Sequence, residues 1–378
     1  MKKTLLTICL VWMCFSLSAQ KIIDLSGKWS FSIDRQDNGE KEKWFSHTLN
    51  DFINLPGSMP EKLKGDEVTA KTQWTGSLYD SSYYYNPYME KYRKEGNIKF
   101  PFFLTPDKHY VGAAWYQKEV NIPADWKGER ILLFLERPHI ETTVWVNGQK
   151  TGMQNSLCVP HQYDITHYVR PGKCTITIRV DNRIKEINVG PDSHSITDQT
   201  QGNWNGIVGR ICLQTTPKTY FDDIQIYPEP EQKLARVKVV IKGTGTAKVK
   251  LSAESFNTDK KHIVPAIQQE IKLNKGVTET EMVLPMGNDM LLWDEFHPAL
   301  YKLKAEVTNG KKTEIKEIQF GMRRFEIKGK WFYVNGRKTQ LRGTVENCDF
   351  PLTGYAPMDV ESWERVFRIC RSYGLNHM

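Results

Sequence analysis

The chain has 378 residues and a formal net charge of +8, a length that suffices for two or three domains with apolar cores. Its basic residues are spread out and alternate with acidic ones, as at Lys302, Lys304 and Glu306, which is typical of solvated strand faces. This distribution argues against a nucleic-acid partner, and no motif in the sequence predicts a cofactor or a metal site.

Residues 1–19 have the pattern of a secretory signal peptide: two lysines, an apolar run from Leu5 to Leu17, and Ala19 at the expected cleavage point. The run is too short to span a membrane, and the bulky residues before Cys14 argue against a lipoprotein signal. The sequence therefore predicts a periplasmic or secreted bacterial protein with no membrane insertion after cleavage. The five remaining cysteines have no C-x-x-C spacing, so a disulfide framework is not indicated.

Residues 20–216 contain many short β-rich runs separated by Gly, Pro and Asn turns, which predicts an all-β sandwich. In the run Cys174 to Val180, apolar and polar residues alternate, as expected for a half-buried strand. Asn147-Gly148 predicts a tight hairpin, because type I′ turns need positive φ at both central residues. Residues 65–112 are rich in aromatic residues, which serve either as a stacking platform for sugars or as packing for a long loop.

Residues 217–320 again contain alternating runs, and the length of about 100 residues is typical of an immunoglobulin-like sandwich. From residue 321 the pattern changes. Asn335-Gly336 predicts a second hairpin, Asp359 is placed to cap a helix with an apolar face, and Gly374 follows where that helix should end. A strand, a loop, a helix and the start of another strand form the opening of a βαβ unit.

Several motifs, each weak alone, occur in one order along the chain. They are W-Y-Q-K at 115–118, V-W-V-N-G at 144–148, Y-D-I-T at 163–166, R-V-D-N at 179–182, N-G-I-V-G at 205–209, F-G-M-R-R-F-E at 320–326 and L-R-G at 341–343. Together they resemble glycoside hydrolase family 2, which includes β-galactosidases, β-glucuronidases and β-mannosidases. The resemblance implies a jelly-roll (galactose-binding-like) sandwich at 20–216, an immunoglobulin-like sandwich at 217–320 and a truncated start of a (β/α)₈ barrel at 321–378.

The resemblance also implies where a glycoside substrate is bound. In the family, the segment before the G-I pair reaches the active site, so Asp198 is a candidate for sugar hydroxyls, with Asn203 or Trp204 beside it. An ordinary loop between strands is the alternative. Catalytic groups of such barrels lie at the carboxyl ends of strands, which points to the segment that follows Gly343.

Three substrate-binding candidates belong to that segment, Glu346, Asn347 and Asp349, and a fourth, Arg342, comes directly before Gly343. Many family members carry Asn and His where this chain has Val345 and Asn347, which weakens a plain β-galactosidase assignment. For Glu346 and Asp349 the residue pattern favours the alternative, a place at the surface or behind the groups that touch substrate. Arg342 is expected to make an ion pair or to orient a deeper carboxylate.

The two catalytic glutamates of the family lie on later barrel strands, and only 58 residues follow Phe320, against roughly 250 for a whole barrel. The expected function is therefore the N-terminal part of a secreted retaining β-glycosidase, most like a β-galactosidase and inactive by itself. Two alternatives stay open, a carbohydrate-binding module without catalysis and one half of a split enzyme. The oligomeric state is not predictable from these patterns.

Overall fold

The computed structural model describes residues 20–75, 81–99, 105–185, 198, 202–348 and 350–378. The chain divides into two compact units, Lys21–Thr216 together with Gln340–Met378, and Pro217–Thr339. The predicted signal peptide and Asp349 lie outside the described residues.

Two antiparallel sheets make up most of the first unit. Its strands are β1 (Ile22–Asp24), β2 (Gly27–Asp34), β3 (Asp51–Leu55), β4 (Gly57–Ser58), β5 (Asp66–Glu67), β6 (Lys108–His109), β7 (Ala113–Ile122), β8 (Arg130–Pro138), β9 (Glu141–Val146), β10 (Gln149–Asn155), β11 (His161–Asp164), β12 (Gly172–Asp181) and β13 (Gly206–Thr216), with a short helix α1 (Ser81–Tyr85). One sheet has the order β1-β13-β8-β11, with β4 on β13, and the other has the order β10-β9-β12-β7-β2-β3.

The core of this sandwich is built from alternate residues of both sheets, such as Trp29, Leu133, Ile176 and Ile211, all at most 1% exposed. Such burial is the main favourable contribution to folding, since apolar area removed from water stabilises by about 25 cal/mol per Å². The alternating strand over residues 174–180 is confirmed as part of β12.

The expectation that β12 is only half-buried is wrong. Thr177 is 1% exposed and Arg179 is 8% exposed on the face assigned to solvent. Long-range partners cover that face, because the Gln117 amide donates to Thr177 Oγ1 over 3.1 Å and Asp37 pairs with Arg179 at 2.6 Å. Periodicity cannot reveal such partners, which come from distant segments of the chain.

The hairpin at Asn147-Gly148 is confirmed. Asn147 has φ 50° and Gly148 has φ 77°, and the turn joins β9 to β10. The Asn147 side chain also accepts the Thr175 N–H over 2.9 Å, so the turn is fixed to β12 as well as by its own backbone geometry.

The second unit contains β14 (Tyr220–Glu229), β15 (Leu234–Phe256), β16 (Ile263–Pro285), β17 (Leu300–Asn309), β18 (Lys312–Phe320), β19 (Phe325–Lys328), β20 (Trp331–Val334) and β21 (Arg337–Thr339). The first half of β15 pairs with β14 and its second half with β17, while β16 follows β15 along its length. The sheet encloses a core of its own, which includes Phe221, Leu251, Tyr301 and Met322. The prediction of an all-β fold with two successive sandwiches is confirmed.

Residues 340–378 contain one helix, α2 (Val360–Ser372), whose N-cap is Asp359 as predicted. Asp359 Oδ1 accepts the Ser362 N–H over 2.7 Å, and Gly374 has φ 76° after the helix. A parallel bridge joins Gly343 to His377, so the segments before and after α2 lie side by side at this one point. One bridge does not make a barrel, and the barrel stays a prediction.

Candidate functional site

The Asp198 carboxylate is directed into the protein and is 3% exposed. Its Oδ2 accepts the Thr75 N–H over 2.6 Å and its Oδ1 accepts the Asn203 N–H over 2.9 Å. The ring of His109 approaches it as well, with 3.6 Å between Nε2 and Oδ2. Asp198 therefore joins three separate segments of the first unit. Contact with a sugar hydroxyl stays a prediction.

Asn203 continues this bracing of the segment that precedes β13. Its Nδ2 donates to Thr75 Oγ1 over 3.0 Å and to the Asn182 carbonyl over 2.9 Å. The buried Oδ1 has no hydrogen-bond partner among the described residues. A buried amide oxygen left in this state keeps its full capacity to accept a hydrogen bond.

Asn205 supports the same segment and was missed by the sequence analysis. Its amide donates to the carbonyls of Gly112 and Val180, and its Oδ1 accepts the Tyr116 hydroxyl over 2.7 Å. All three hydrogen bonds are buried, so they fix the residue just before β13, which belongs to one sheet, against β7 and β12 of the other sheet. The N-G pair at 205–206 was the available signal, but it was interpreted only as a family motif.

Trp204 lies in a cluster of rings and is 3% exposed. Its indole stacks on His139, with centroids 4.5 Å apart and an angle of 18° between the planes, and it contacts Tyr355 at 5.5 Å. Burial lowers the pKa of His139 to about 3, so the imidazole is neutral at physiological pH. Trp204 packs against protein rings here, and its predicted contact with a sugar is untested.

The segment 350–358 rests on the first sandwich beside this cluster. Tyr355 donates its hydroxyl to Glu61 Oε2 over 2.8 Å, and the Ser58 hydroxyl donates to the Thr353 carbonyl. Burial raises the pKa of Glu61, but hydrogen bonds from Lys62 and Tyr355 outweigh it and leave the pKa below its usual value.

The predicted binding residues on either side of Gly343 lie on an exposed stretch, 341–347. Arg342 Nε donates to the Gly374 carbonyl over 2.8 Å and its backbone N–H to Asn376 Oδ1, which fixes it to the chain beyond α2. Glu346 and Asn347 are exposed, and Glu346 Oε1 accepts the Cys348 N–H over 2.8 Å. Asp349 lies outside the described residues. The predicted residues thus form a buried group at 198–204 and an exposed group at 342–347.

A polar cleft of about 530 Å³ adjoins the first group. His109 lines it, together with Asp66, Arg35, Tyr110 and Arg183. The Arg35 and Asp66 side chains form an ion pair of 2.7 Å, and they are 51% and 58% exposed. Carboxylates, guanidinium groups and hydroxyls of this kind suit a polyhydroxylated ligand. In the part of the chain that the structure describes, no group of three or more His, Cys, Asp and Glu side chains is arranged to hold a metal ion.

In the aromatic-rich segment 65–112, some rings are packed in the interior and others are exposed. Tyr83 and Tyr110 are 1% and 7% exposed, whereas Tyr85 and Tyr88 are 76% and 84% exposed. Several other rings of the segment, among them Tyr79 and Phe102, lie outside the described residues. No helix in the described part of the chain is long and apolar enough to cross a membrane.

Two family profiles match the chain in succession. Residues 22–217 match the profile described as "Glycosyl hydrolases family 2, sugar binding domain", and residues 219–323 match that described as "Glycosyl hydrolases family 2". The first match alone covers more than half of the chain.

Individual relatives agree with these profiles. A β-glucuronidase of Paenibacillus borealis is 23% identical over 355 residues, and the match covers 89% of this chain and 51% of that enzyme. A β-galactosidase large subunit of Latilactobacillus sakei is 23% identical over 350 residues, and the match covers 90% of this chain and 52% of that subunit. The chain thus spans about half the length of these curated relatives. A solved β-glucuronidase of Ruminococcus gnavus in complex with D-glucuronic acid has the same fold, with a TM-score of 0.67 at 19% identity over 95% of this chain and 55% of that one.

Proposed function

The chain belongs to glycoside hydrolase family 2, and we propose that it is the N-terminal part of a secreted enzyme that hydrolyses terminal β-glycosidic bonds. The observation that supports this most directly is the succession of the two family matches, which follow one another along residues 22–217 and 219–323. Fold alone does not determine chemistry, so the proposal depends on which residues would serve the reaction.

Retaining hydrolysis needs two carboxyl groups about 5–5.5 Å apart, one as acid and base and one as nucleophile. We propose that both lie on barrel strands beyond residue 378. The exposed stretch after Gly343 would supply binding groups from the first strand, Glu346 and Asn347, while Arg342 orients the strand end. Binding groups orient a sugar without much lowering the barrier to bond cleavage, so residues 20–378 alone are expected to be inactive.

A β-galactoside is the first candidate substrate and a β-glucuronide the second. The two relatives described above are named after these two sugars, and the absence of the family's usual His at Asn347 removes one argument for galactose. In either case the glycoside is the partner, and secretion through residues 1–19 would bring the enzyme to glycans outside the cytoplasm.

The direct test compares residues 20–378 with a chain extended through a complete barrel. Each is incubated with the nitrophenyl β-glycosides of galactose, glucuronic acid and mannose. We expect no turnover by the shorter chain, and cleavage of one substrate by the longer chain with retention of anomeric configuration, which NMR of the first product reveals. Turnover by residues 20–378 that Glu346→Gln abolishes would contradict the proposal.

Asp198→Ala in the extended enzyme tests the sugar contact. Loss of hydroxyl contacts that tighten in the transition state should lower kcat/KM by several kcal/mol in equivalent free energy. Because Asp198 also accepts two backbone N–H groups, the free energy of unfolding is measured in parallel. Asp125→Ala, which removes an exposed carboxylate paired with Lys21, is the control. Unchanged kinetics in a folded Asp198→Ala variant would leave this carboxylate with its bracing role alone.

A carbohydrate-binding module without catalysis is the second candidate function. It is favoured by the exposed rings of Tyr85 and Tyr88 and by the cleft beside His109, since flat rings and fixed polar groups are the elements of a sugar site. Calorimetric binding of an oligosaccharide to residues 20–378, with no cleavage by an extended chain, would favour the module.

A further inference from the structure

The stretch that carries Glu346 and Asn347 is exposed, yet the residues that follow it are fixed on the first sandwich. The loop contact, as we define it, joins Ser58, Glu61 and Trp204 of the sandwich with Thr353, Gly354 and Tyr355. Its polar part consists of two hydrogen bonds, one from the Ser58 hydroxyl to the Thr353 carbonyl and one from the Tyr355 hydroxyl to the Glu61 carboxylate. These bonds hold the loop only a few residues beyond the two exposed side chains.

In the apolar part of the loop contact, a glycine lies directly against an aromatic side chain. Gly354 has φ +81°, and a Cβ at this position would lie 2.8 Å from Trp204 Cβ. Both the positive φ and the close approach require glycine. The backbone of the loop therefore lies directly against the Trp204 side chain, and Tyr355 continues the contact with its ring at 5.5 Å.

The sandwich side of the loop contact is held rigidly. Trp204 stacks on the buried His139, and the residues on either side of it, Asn203 and Asn205, each donate hydrogen bonds to backbone carbonyls. Glu61 is fixed in turn by Lys62 Nζ at 2.6 Å and by the Ser58 N–H at 3.3 Å. The loop thus rests on a surface with little freedom to move.

We infer that Trp204 and Tyr355 are positioning residues, which hold the loop after Gly343 so that Glu346 and Asn347 meet a substrate in one arrangement. The inference depends on the proposed glycosidase function for its substrate, but the loop contact is testable without catalysis. A loop ordered before binding loses less conformational entropy when the ligand arrives, so affinity is gained without any new contact.

Hydrogen exchange of residues 20–378 tests the loop contact itself. Trp204→Ala and Tyr355→Ala should each raise the exchange rates of the amides in 350–358 by about tenfold or more, with β12 unchanged. Trp204→Phe, which keeps an aromatic ring, should restore most of the protection. Tyr373→Ala is the matched control, because Tyr373 is 81% exposed and outside the contact. Unchanged protection in Tyr355→Ala would overturn the inference, and this variant decides the matter if Trp204→Ala fails to fold.

Kinetics of the extended enzyme test the role in positioning. Tyr355→Ala should raise the KM for the cleaved nitrophenyl glycoside about tenfold, with a smaller change in kcat, because binding groups lose order while the catalytic carboxyls are untouched. Tyr355→Phe loses only the hydrogen bond to Glu61, so its KM should lie between that of the unaltered enzyme and that of Tyr355→Ala. A merely structural role would lower the fraction of active enzyme and hence kcat, with KM unchanged. If the unaltered enzyme cleaves no glycoside, the proposed function fails. If it cleaves one and Tyr355→Ala has the same KM, only the positioning role fails.

Discussion

The Asp181 carboxylate is completely buried, yet three cations surround it. Its Oδ2 lies 2.9 Å from Arg179 Nη2, 2.5 Å from Arg183 Nη2 and 2.8 Å from Lys185 Nζ. Burial alone would raise the pKa of Asp181, but hydrogen bonds from Arg183 and Lys185 and the charge of Arg179 hold it well below its usual value. Because the folded-state pKa is depressed, this group stabilises the fold above the unfolded pKa of about 4, and the contribution is lost as pH falls below it.

Asp181→Asn is therefore expected to destabilise the first sandwich at pH 7 by roughly 1–3 kcal/mol, since it removes the buried carboxylate that three cations share and leaves them only Asp37 and Glu141 as counter-charges. Its free energy of unfolding should also fall less steeply than that of the unaltered chain between pH 5 and pH 3. Urea unfolding at several pH values measures both effects. Asp222→Asn, at an exposed pair with Lys242, should change little, and a loss at Asp181 no larger than this control would contradict the role of the buried network.

His139 responds to pH for a different reason. Burial lowers its folded-state pKa to about 3, whereas an unfolded histidine titrates near 6.5. Between these values the unfolded chain binds one more proton than the folded chain, so stability is complete above about pH 6.5 and falls as the pH drops towards 3.

His139→Phe, which preserves a flat ring against Trp204, should remove a slope of up to about 1.4 kcal/mol per pH unit from the stability profile in this range. NMR should find the His139 ring neutral at pH 5, with the variant identifying its signal. A His139 ring that is protonated at pH 5 in the folded chain would contradict this account.

At the scale of elements, the parallel bridge between the segments before and after α2 depends on Gly343. A Cβ on Gly343 would lie 2.2 Å from Cε1 of His377, in the same place where the two residues form their parallel bridge. Gly343→Ala should therefore displace the exposed His377 ring, loosen the bridge and raise the exchange rate of the Asn376 amide, which donates to the Arg342 carbonyl over 2.9 Å. Gly152→Ala is the control, since its Cβ would meet nothing nearer than 3.7 Å. Equal protection of Asn376 in both variants would show that the bridge tolerates a side chain at position 343.

Elements fixed by local chemistry were predictable from the sequence, and contacts between distant segments were not. The turn at Asn147-Gly148 and the cap at Asp359 depend on one or two residues whose backbone preferences are known. The loop contact between Trp204 and Tyr355 depends on two segments that no periodicity connects, and so do the partners that bury Arg179. For the same reason the sequence pointed to Asp198 and Trp204 as candidates but did not indicate how deeply they are buried.

At the scale of the whole molecule, each compact unit has its own core. The second unit encloses residues such as Phe221, Leu251 and Tyr301 within its own sheet, so residues 217–339 produced alone should fold and unfold cooperatively. Circular dichroism and a dispersed NMR spectrum would establish this. A segment that stays disordered, although residues 20–378 are folded, would show that its core needs the rest of the chain.

The loop contact also has a consequence for the order of synthesis. Trp204 leaves the ribosome 151 residues before Tyr355, a delay of roughly 8–30 s at usual rates of translation. Both sheets of the first sandwich can close in that interval, because β13, the last of their strands, ends at Thr216. The nascent sandwich would then present Trp204 uncovered until its loop arrives. Oxidative footprinting is accordingly expected to label Trp204 in a chain that stops at residue 216 and to spare it in the whole chain.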